Sequence, residues 1–499
     1  MGDADTLYIK KINHSQVRIE TNEGIGYELG EEFSFFAPGY KFMKKYKNGL
    51  WDGKIRLFDR RTRLFPSGLV PKLDRFAKAR KYKLNFVNTP KYGLPGAKLD
   101  IKPKEIMEFI KTLNLTTRGE PIEVRDYQFN AICNGLINKG ALMICPTASG
   151  KSLIQYVIIR YLVDVLKIKV LLVVPTTALV EQMFSDFQDY GWDAEEFCHR
   201  IYTGKEKNTD HAVTITTWQS IYKLPKLWFN KYGALFGDES HLFTAKSLGE
   251  VMKKAGECGY RIGVSGTLDG ALVHELVLNG HFGPTYRVIK TKTLQEKNVL
   301  SRINISVINL VYPEDVRQQM VRADYHQEIN YIVTNPTRQK FVKNLAKSLD
   351  GNTLILFQFV EKHGAPLYRL IKDSVEEGRK VFFVHGGVDT QVREDVRRIV
   401  EKETNAIIVA SFGTFSTGVN IRNLHNLILA SPSKSQVRLL QSIGRGLRIA
   451  DDGSIMNLFD LVDDLHWKKN INFGLRHSVE RCKIYNKEEF PWKIHEVKL

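Results

Sequence analysis

Cysteine is scarce in this 499-residue chain, and its spacing suggests no pairing. The five cysteines (Cys133, Cys145, Cys198, Cys258, Cys482) lie far apart, which excludes a dense disulfide framework and a short-spaced zinc site. Long apolar runs are also missing. The longest, around Val170 to Val174, has the length of a buried strand, so no membrane-spanning helix and no membrane partner are expected. The N-terminus lacks the apolar core of a signal peptide, and a cytoplasmic location follows as the expectation. No short repeat or low-complexity segment is present, which argues against a solenoid or a disordered tail. Acidic residues are in deficit, with 73 Lys and Arg against 55 Asp and Glu leaving a net charge of +18. What remains is ordinary for folded domains: 43% hydrophobic and 26% charged residues suffice for packed cores, and the length calls for two or three of them.

A cationic surplus implies a polyanionic partner if it is clustered and mere solubility if it is spread. Here it is clustered. From Thr6 to Thr116, short strand-like runs (Leu7 to Ile12, Gln16 to Glu20, Ile55 to Phe58, Tyr82 to Val87) alternate with turns and one helical stretch, Lys72 to Lys81. This predicts a small basic α+β domain over residues 1–115. Its middle interleaves cations with flat rings, among them Lys44, Lys45, Trp51, Arg56, Arg61 and Arg63, a composition suited to tracking phosphates while bases stack. The alternative is a solvated basic face with Trp51 and Phe58 in the domain's own core.

From Val124 onward, short apolar runs alternate with amphipathic helical segments, the signature of parallel sheets wrapped by helices. One series of strands comprises Leu142 to Cys145, Val170 to Val174, Val213 to Thr216, Ala234 to Gly237 and Ile262 to Ser265. A second comprises Leu354 to Phe357, Val381 to Val384, Ile407 to Ala410, Leu427 to Ala430 and Ile455 to Phe459. Between them lie a β-rich stretch, Ile303 to Val311, and a helical one, Glu314 to Ile332. Two similar α/β domains are expected, 116–295 and 296–499, the latter with a C-terminal extension. In that extension a helix is expected over Trp467 to Arg476, and the basic, aromatic end (Arg481, Lys483, Tyr485, Phe490, Trp492) is expected to cap the fold.

The strand ending at Cys145 runs into Pro146-Thr147-Ala148-Ser149-Gly150-Lys151-Ser152 and then an amphipathic helix. A tight loop entering a helix N-terminus aims several backbone N–H groups at one spot, where the helix dipole also favours an anion. Lys151 suits the β and γ phosphates of ATP, and the Ser152 hydroxyl suits Mg²⁺. Ala148 stands where glycine is often found. If the backbone there has positive φ, its Cβ costs about 1 kcal/mol and weakens nucleotide affinity. Asp238-Glu239-Ser240-His241 ends the strand Ala234 to Gly237. Asp238 can hold Mg²⁺ opposite Ser152, and Glu239 can orient and deprotonate the attacking water.

With these residues in place, the stretch from about Arg125 to Arg448 resembles the superfamily 2 helicases, Asp238-Glu239-Ser240-His241 matching their DExH box. The resemblance implies two tandem RecA-like parallel-sheet domains that hydrolyse ATP between them. It implies that Arg125-Asp126-Tyr127-Gln128 reads adenine, Gln128 through its carboxamide and Tyr127 or Arg125 by stacking. Val174-Pro175-Thr176 and Thr216-Thr217-Trp218-Gln219-Ser220 resemble loops that contact nucleic acid, and Ser265-Gly266-Thr267 resembles a coupling motif. In the second domain Phe357-Gln358 and His385-Gly386-Gly387 resemble strand-contact motifs. The run Thr414 to Ile421, containing Gly418, resembles the motif linking DNA to nucleotide. Gln441-Ser442-Ile443-Gly444-Arg445-Gly446-Leu447-Arg448 resembles the arginine-finger helix, whose two arginines reach the γ phosphate. A basic N-terminal module on a compact DExH motor further resembles the recombination helicases of T4-type phages. That likeness implies a monomeric motor in the host cytoplasm acting on single-stranded and branched double-stranded DNA and on RNA–DNA hybrids. An accessory protein stays open. An RNA helicase or a restriction motor would share the motor motifs, and a nucleotide-gated annealing protein is the non-enzymatic alternative.

Overall fold

In the computed structural model, the described residues are 5–499 except 147, 267, 269–271, 298–299, 301, 418–422, 433–438, 440–442 and 444–454. The run Val170–Val174 is buried at every position, as it must be when β-branched and leucine side chains point alternately to two faces that are both covered by helices. Six further strands join it in a sheet ordered Cys198–Ile201, Val213–Thr217, Val170–Val174, Ala234–Asp238, Tyr260–Ser265, Gly140–Ile144, Thr285–Arg287. Every pairing in it is parallel. A second all-parallel sheet is ordered Val381–Val384, Ile407–Ser411, Thr353–Phe357, Asn426–Leu429, Met456–Asp464, Ile303–Val311, Trp492–Lys498. The chain divides into two compact units, Met1–Cys145 with Ser149–Val288 and Ile289–Leu499 with Pro146–Ala148, with one parallel sheet in each. The expected RecA-like α/β architecture is therefore present.

The basic N-terminal region forms a four-stranded mixed sheet, Leu64–Pro66, Gln16–Glu20, Thr6–Lys11, Lys83–Val87, over a core that includes Leu7, Ile19, Phe58 and Phe65. It belongs to the first compact unit and docks on the first parallel sheet's helices. Leu276, from the helix Leu272–Phe282, completes its core. A Cβ on Gly68 would lie 2.0 Å from the Asn279 carbonyl oxygen, so only glycine permits this approach. The contact is reinforced where the His14 N–H donates to the Gly256 carbonyl at 2.8 Å and the Tyr92 hydroxyl to Glu257 at 2.9 Å.

Several elements differ from expectation for physical reasons. Helix Glu23–Glu32, capped by Asn22, was hidden because two of its four buried positions, Gly26 and Gly30, are glycines that admit the Arg63 and Arg60 side chains. The stretch Glu314 to Ile332 is two helices, Glu314–Met320 and Tyr325–Thr334, the second started by a capping box of Asp324 and Gln327. The C-terminal helix is Phe473–Lys487 rather than Trp467 to Arg476. Glu328 fixes its start by accepting the N–H groups of Phe473 and Gly474 at 2.9 and 2.6 Å. Edge strands Cys198–Ile201, Thr285–Arg287 and Trp492–Lys498 have partly exposed faces and so carry no continuous apolar run. The C-terminal end caps the fold, with Arg481, Tyr485 and Phe490 buried.

Charged groups are sealed into the second unit. Arg338 meets Asp463 through two bonds of 2.6 and 3.0 Å with both side chains fully buried, and the Tyr312 hydroxyl donates to the same carboxylate at 2.9 Å. Arg338→Met strands Asp463 and is expected to cost about 3–5 kcal/mol in urea denaturation. Replacing both partners, Arg338→Met with Asp463→Leu, is expected to cost less than either single change.

Candidate functional site

Parallel strands carry all their C-terminal ends to one edge of a sheet, which is where open α/β sheets bind ligands. At that edge Ala234–Asp238, Tyr260–Ser265 and Gly140–Ile144 are neighbours, so Asp238, Ser265 and the loop after Ile144 converge although distant in sequence. Gly150, at φ 81, is the N-cap of helix Lys151–Asp164. The Lys151 ammonium lies 2.9 Å from Glu239 Oε1. Glu239 itself sits at φ 46, a left-handed conformation unusual for a residue with a Cβ. Its other oxygen is 3.4 Å from His241 Nδ1, which lies 3.0 Å from the Ser265 hydroxyl. A Cβ on Gly266 would be 3.8 Å from Lys151 Nζ, so the loop after Ser265 passes directly beside the ammonium.

The electrostatics divide the two acids. Burial, with the Glu239 carboxylate acting in the same sense, raises the Asp238 carboxyl to about 6 despite Lys151 and a 3.4 Å hydrogen bond from Gln155 Nε2. Burial acts on Glu239 in the same sense but is outweighed by Lys151 and then His241, which hold its carboxyl well below the usual range. Burial likewise works against the Lys151 charge, and Glu239 and Asp238 together raise its pKa above the ordinary value. A poorly compensated buried carboxylate beside a phosphate-type loop is the kind of oxygen donor that a divalent cation relieves, so Asp238 and the Ser152 hydroxyl fit Mg²⁺ chemically. Ser152 Oγ is 2.8 Å from the Tyr190 hydroxyl, a partner that no sequence motif indicates.

The adenine element looks different in three dimensions. Gln128 is buried and its carboxamide is occupied at both ends: Oε1 accepts from the Arg125 N–H at 2.9 Å, and Nε2 donates to the Ser149 carbonyl at 2.9 Å. It therefore ties the helix Asp126–Asn138 to the phosphate loop rather than presenting a free edge to a base. Tyr127 is also buried, whereas Arg125 is exposed and donates from Nη1 to the Tyr127 hydroxyl at 3.1 Å. Ala148 does sit at positive φ, 62°, where glycine is often found. Pro146 and Ser149 lie in the same loop. Thr147, Gly418, Gln441, Arg445 and Arg448 lie outside the described residues.

A groove of about 660 Å³ opens elsewhere on the first parallel-sheet domain, lined by Pro175, Thr176, Tyr202, Lys205, Lys207 and Gln219 among others. Thr176 and Gln219 were expected there. Tyr202, Lys205 and Lys207 were not, the available signal being a Gly-Lys turn directly after a strand. Trp218 is half-buried and packs toward the core beside Tyr222, ring centroids 5.8 Å apart, so it does not line the groove. In the second unit Gln358 and Gly386 are exposed, but two expectations need correction. Phe357 is fully buried against Phe383, because it is the last inward residue of a central strand. Thr414 is buried, with its hydroxyl 2.8 Å from that of Ser411. In the N-terminal sheet domain Lys44, Lys45 and Arg61 are exposed, while Arg56 pairs with Asp52 and Arg63 with Glu23. Trp51 is half-buried and donates to the Lys54 carbonyl at 2.9 Å.

Residues 7–87 match the family described as DNA helicase UvsW, N-terminal; residues 121–270 match type III restriction enzyme, res subunit; and residues 337–450 match helicase conserved C-terminal domain. The chain is 34% identical to the ATP-dependent DNA helicase uvsW of Enterobacteria phage T4, covering 97% of this chain and 98% of that protein. It is 23% identical to the DNA 3'-5' translocase XPB2 of Sulfurisphaera tokodaii, over 68% of this chain and 81% of that protein. The crystal structure of T4 UvsW superposes with a TM-score of 0.52 at 32% identity, covering 99% of both chains. The DNA-bound Type ISP restriction-modification enzyme LlaBIII gives a TM-score of 0.58 at 16% identity, over 76% of this chain and 32% of that one, a likeness of fold alone.

The raised Asp238 carboxyl yields a test of sign. A folded-state pKa above the unfolded value means the ionised acid weakens the fold at neutral pH, and the penalty is relieved as pH falls through about 6. Asp238→Asn is therefore expected to raise nucleotide-free stability at pH 7.5 by roughly 1–3 kcal/mol, a gain that shrinks at pH 5, while abolishing ATP hydrolysis. Calorimetry at the two pH values checks the first part and a steady-state ATPase assay the second.

Proposed function

The chain belongs to the UvsW-like helicases of superfamily 2, and from that premise we propose that it is an ATP-driven DNA motor that unwinds or branch-migrates branched DNA. Its substrates are then Holliday junctions, stalled forks, D-loops and R-loops, met in recombination-dependent replication and repair. The DNA half of the reading is supported by the 34% identity to the T4 enzyme over 97% of the chain, and the ATP half by the 2.9 Å contact between Lys151 and Glu239 at the sheet edge beside Asp238. In the nucleotide-free protein each neutralises the other. The β and γ phosphates of ATP compete for Lys151, and Glu239, once released, is an ionised carboxylate placed to orient and deprotonate water. Ser152 and Asp238 would hold Mg²⁺, which supplies charge neutralisation for the transferring phosphoryl group. Arg445 and Arg448 are assigned to the charge that develops on the γ phosphate, with Gly418 and Gln441 completing the nucleotide contacts.

Residues 1–115 are assigned to DNA binding, 116–295 to the first motor domain and 296–499 to the second with its extension. The N-terminal domain exposes Phe42 and Leu50, 82% and 78% accessible, beside Lys44 and Lys45, an apolar and basic combination suited to bases and phosphates. Thr176, Lys205, Lys207 and Gln219 offer the first motor domain's grip on backbone phosphates, so movement is expected to be nearly independent of base sequence.

Steady-state ATP hydrolysis with Mg²⁺ is to be compared without nucleic acid, with single-stranded DNA, with a four-way DNA junction and with matched RNA. DNA is expected to stimulate the wild-type chain, the junction most, and Lys151→Ala to stay flat throughout. Stimulation by RNA alone would transfer the protein to the RNA helicases. Flat hydrolysis despite tight DNA binding would favour an annealing protein.

A further inference from the structure

A serine that ligates a divalent cation through its oxygen lone pairs keeps its proton, and in a partly buried site that proton needs an acceptor. The hydroxyl oxygen of Tyr190 lies 2.8 Å from Ser152 Oγ, a hydrogen bond in which either hydroxyl can donate. The tyrosine is held at both ends by one helix. Its ring packs on Tyr156 with centroids 5.1 Å apart, and Tyr156 lies one turn beyond Ser152 on Lys151–Asp164. Tyr156 is itself immobilised: it is fully buried, its hydroxyl accepts from Arg160 at 2.7 Å, and Phe187 and Trp192 pack on it at 5.4 and 6.0 Å. The backbone of Tyr190 is fixed as well, its N–H donating to the Asp186 carbonyl at 2.9 Å at the end of helix Thr177–Asp189.

We propose that Tyr190 is a positioning residue for the nucleotide-associated divalent cation: its hydroxyl oxygen accepts the Ser152 proton and so sets the Ser152 rotamer that leaves the Oγ lone pairs for the metal. The inference rests on the assignment of Ser152 as a metal ligand made above. It separates two duties of one side chain. The ring braces the phosphate-loop helix, and the hydroxyl prepares the ligand.

The test titrates the full chain with a fluorescent, non-hydrolysable ATP analogue, in EDTA and across a Mg²⁺ series. Wild type, Tyr190→Phe, Ser152→Ala and the double variant are compared. Phenylalanine keeps the stack on Tyr156 and loses only the acceptor. In EDTA, Tyr190→Phe is expected to match wild type within about two-fold, yet to need roughly ten-fold more Mg²⁺ for half of the metal-dependent tightening. The double variant is expected to need no more Mg²⁺ than Ser152→Ala. A Tyr190→Phe curve superimposed on wild type, an equal loss in EDTA and Mg²⁺, or a further loss of the same size on top of Ser152→Ala overturns the inference. If Ser152→Ala keeps the wild-type Mg²⁺ response, the ligand assignment falls and the inference with it. If Ser152→Ala loses that response and Tyr190→Phe does not, the inference alone falls.

Discussion

Lys151 and Glu239 hold each other in a place where water is scarce, and Asp238 beside them shares the same ammonium. Two carboxylates against one cation leave a net negative charge in a desolvated site, which neither the loop nor the strand end would tolerate alone. Much of the first parallel sheet can be read as the apparatus that makes this arrangement affordable. Three adjacent parallel strands bring Ser265, Asp238 and the phosphate loop to one edge, and Gln128 locks the loop from behind. A Cβ on Gly150 would lie 2.2 Å from Gln128 Nε2, so the loop, its glycine and the glutamine form one constraint. Both carboxylates lean on a single ammonium, so any group that draws Lys151 away unbalances the two together.

The second unit handles buried charge differently. Asp460 and Asp463, on the strand Met456–Asp464, are each met by an arginine and a tyrosine, Arg481 with Tyr485 and Arg338 with Tyr312. These charge-assisted bonds tie the helices Phe473–Lys487 and Pro336–Ser348 to the sheet, although Asp460 Oδ1 and Arg338 Nη1 have no hydrogen-bond partner among the described residues. In the first unit burial instead raises the Asp238 carboxyl, although Lys151 acts in the opposite sense.

The sequence was most informative where one residue type answers one physical need. Central strands such as Val170–Val174 and Ile303–Val311 have the ends their apolar runs predict, and the phosphate loop and acidic strand end were readable from residue chemistry. The edge strands Cys198–Ile201, Thr285–Arg287 and Trp492–Lys498 were not, because they are partly exposed and mix polar with apolar residues, whereas the edge strand Val381–Val384 was, being apolar throughout. Helix Glu23–Glu32 was masked by glycines on its buried face, and the C-terminal helix starts where Glu328, far away in sequence, caps it. Side-chain direction was the other loss. Phe357 and Thr414 sit in the expected motifs but face inward, and Gln128 spends both ends of its carboxamide inside the protein. Tyr190 belongs to no pattern, since its contact with Ser152 depends on how two helices lie together.

In the second sheet, Ile303–Val311 pairs with Met456–Asp464 on one side and Trp492–Lys498 on the other. Both neighbours come much later in the chain, so during synthesis this nine-residue strand leaves the ribosome with two open edges. It must wait while residues 312–455 are made, of order ten seconds at about 5–20 residues per second. For that interval a nine-residue, largely apolar strand has neither of its final neighbours, so the second sheet can close only after nearly the whole chain is made.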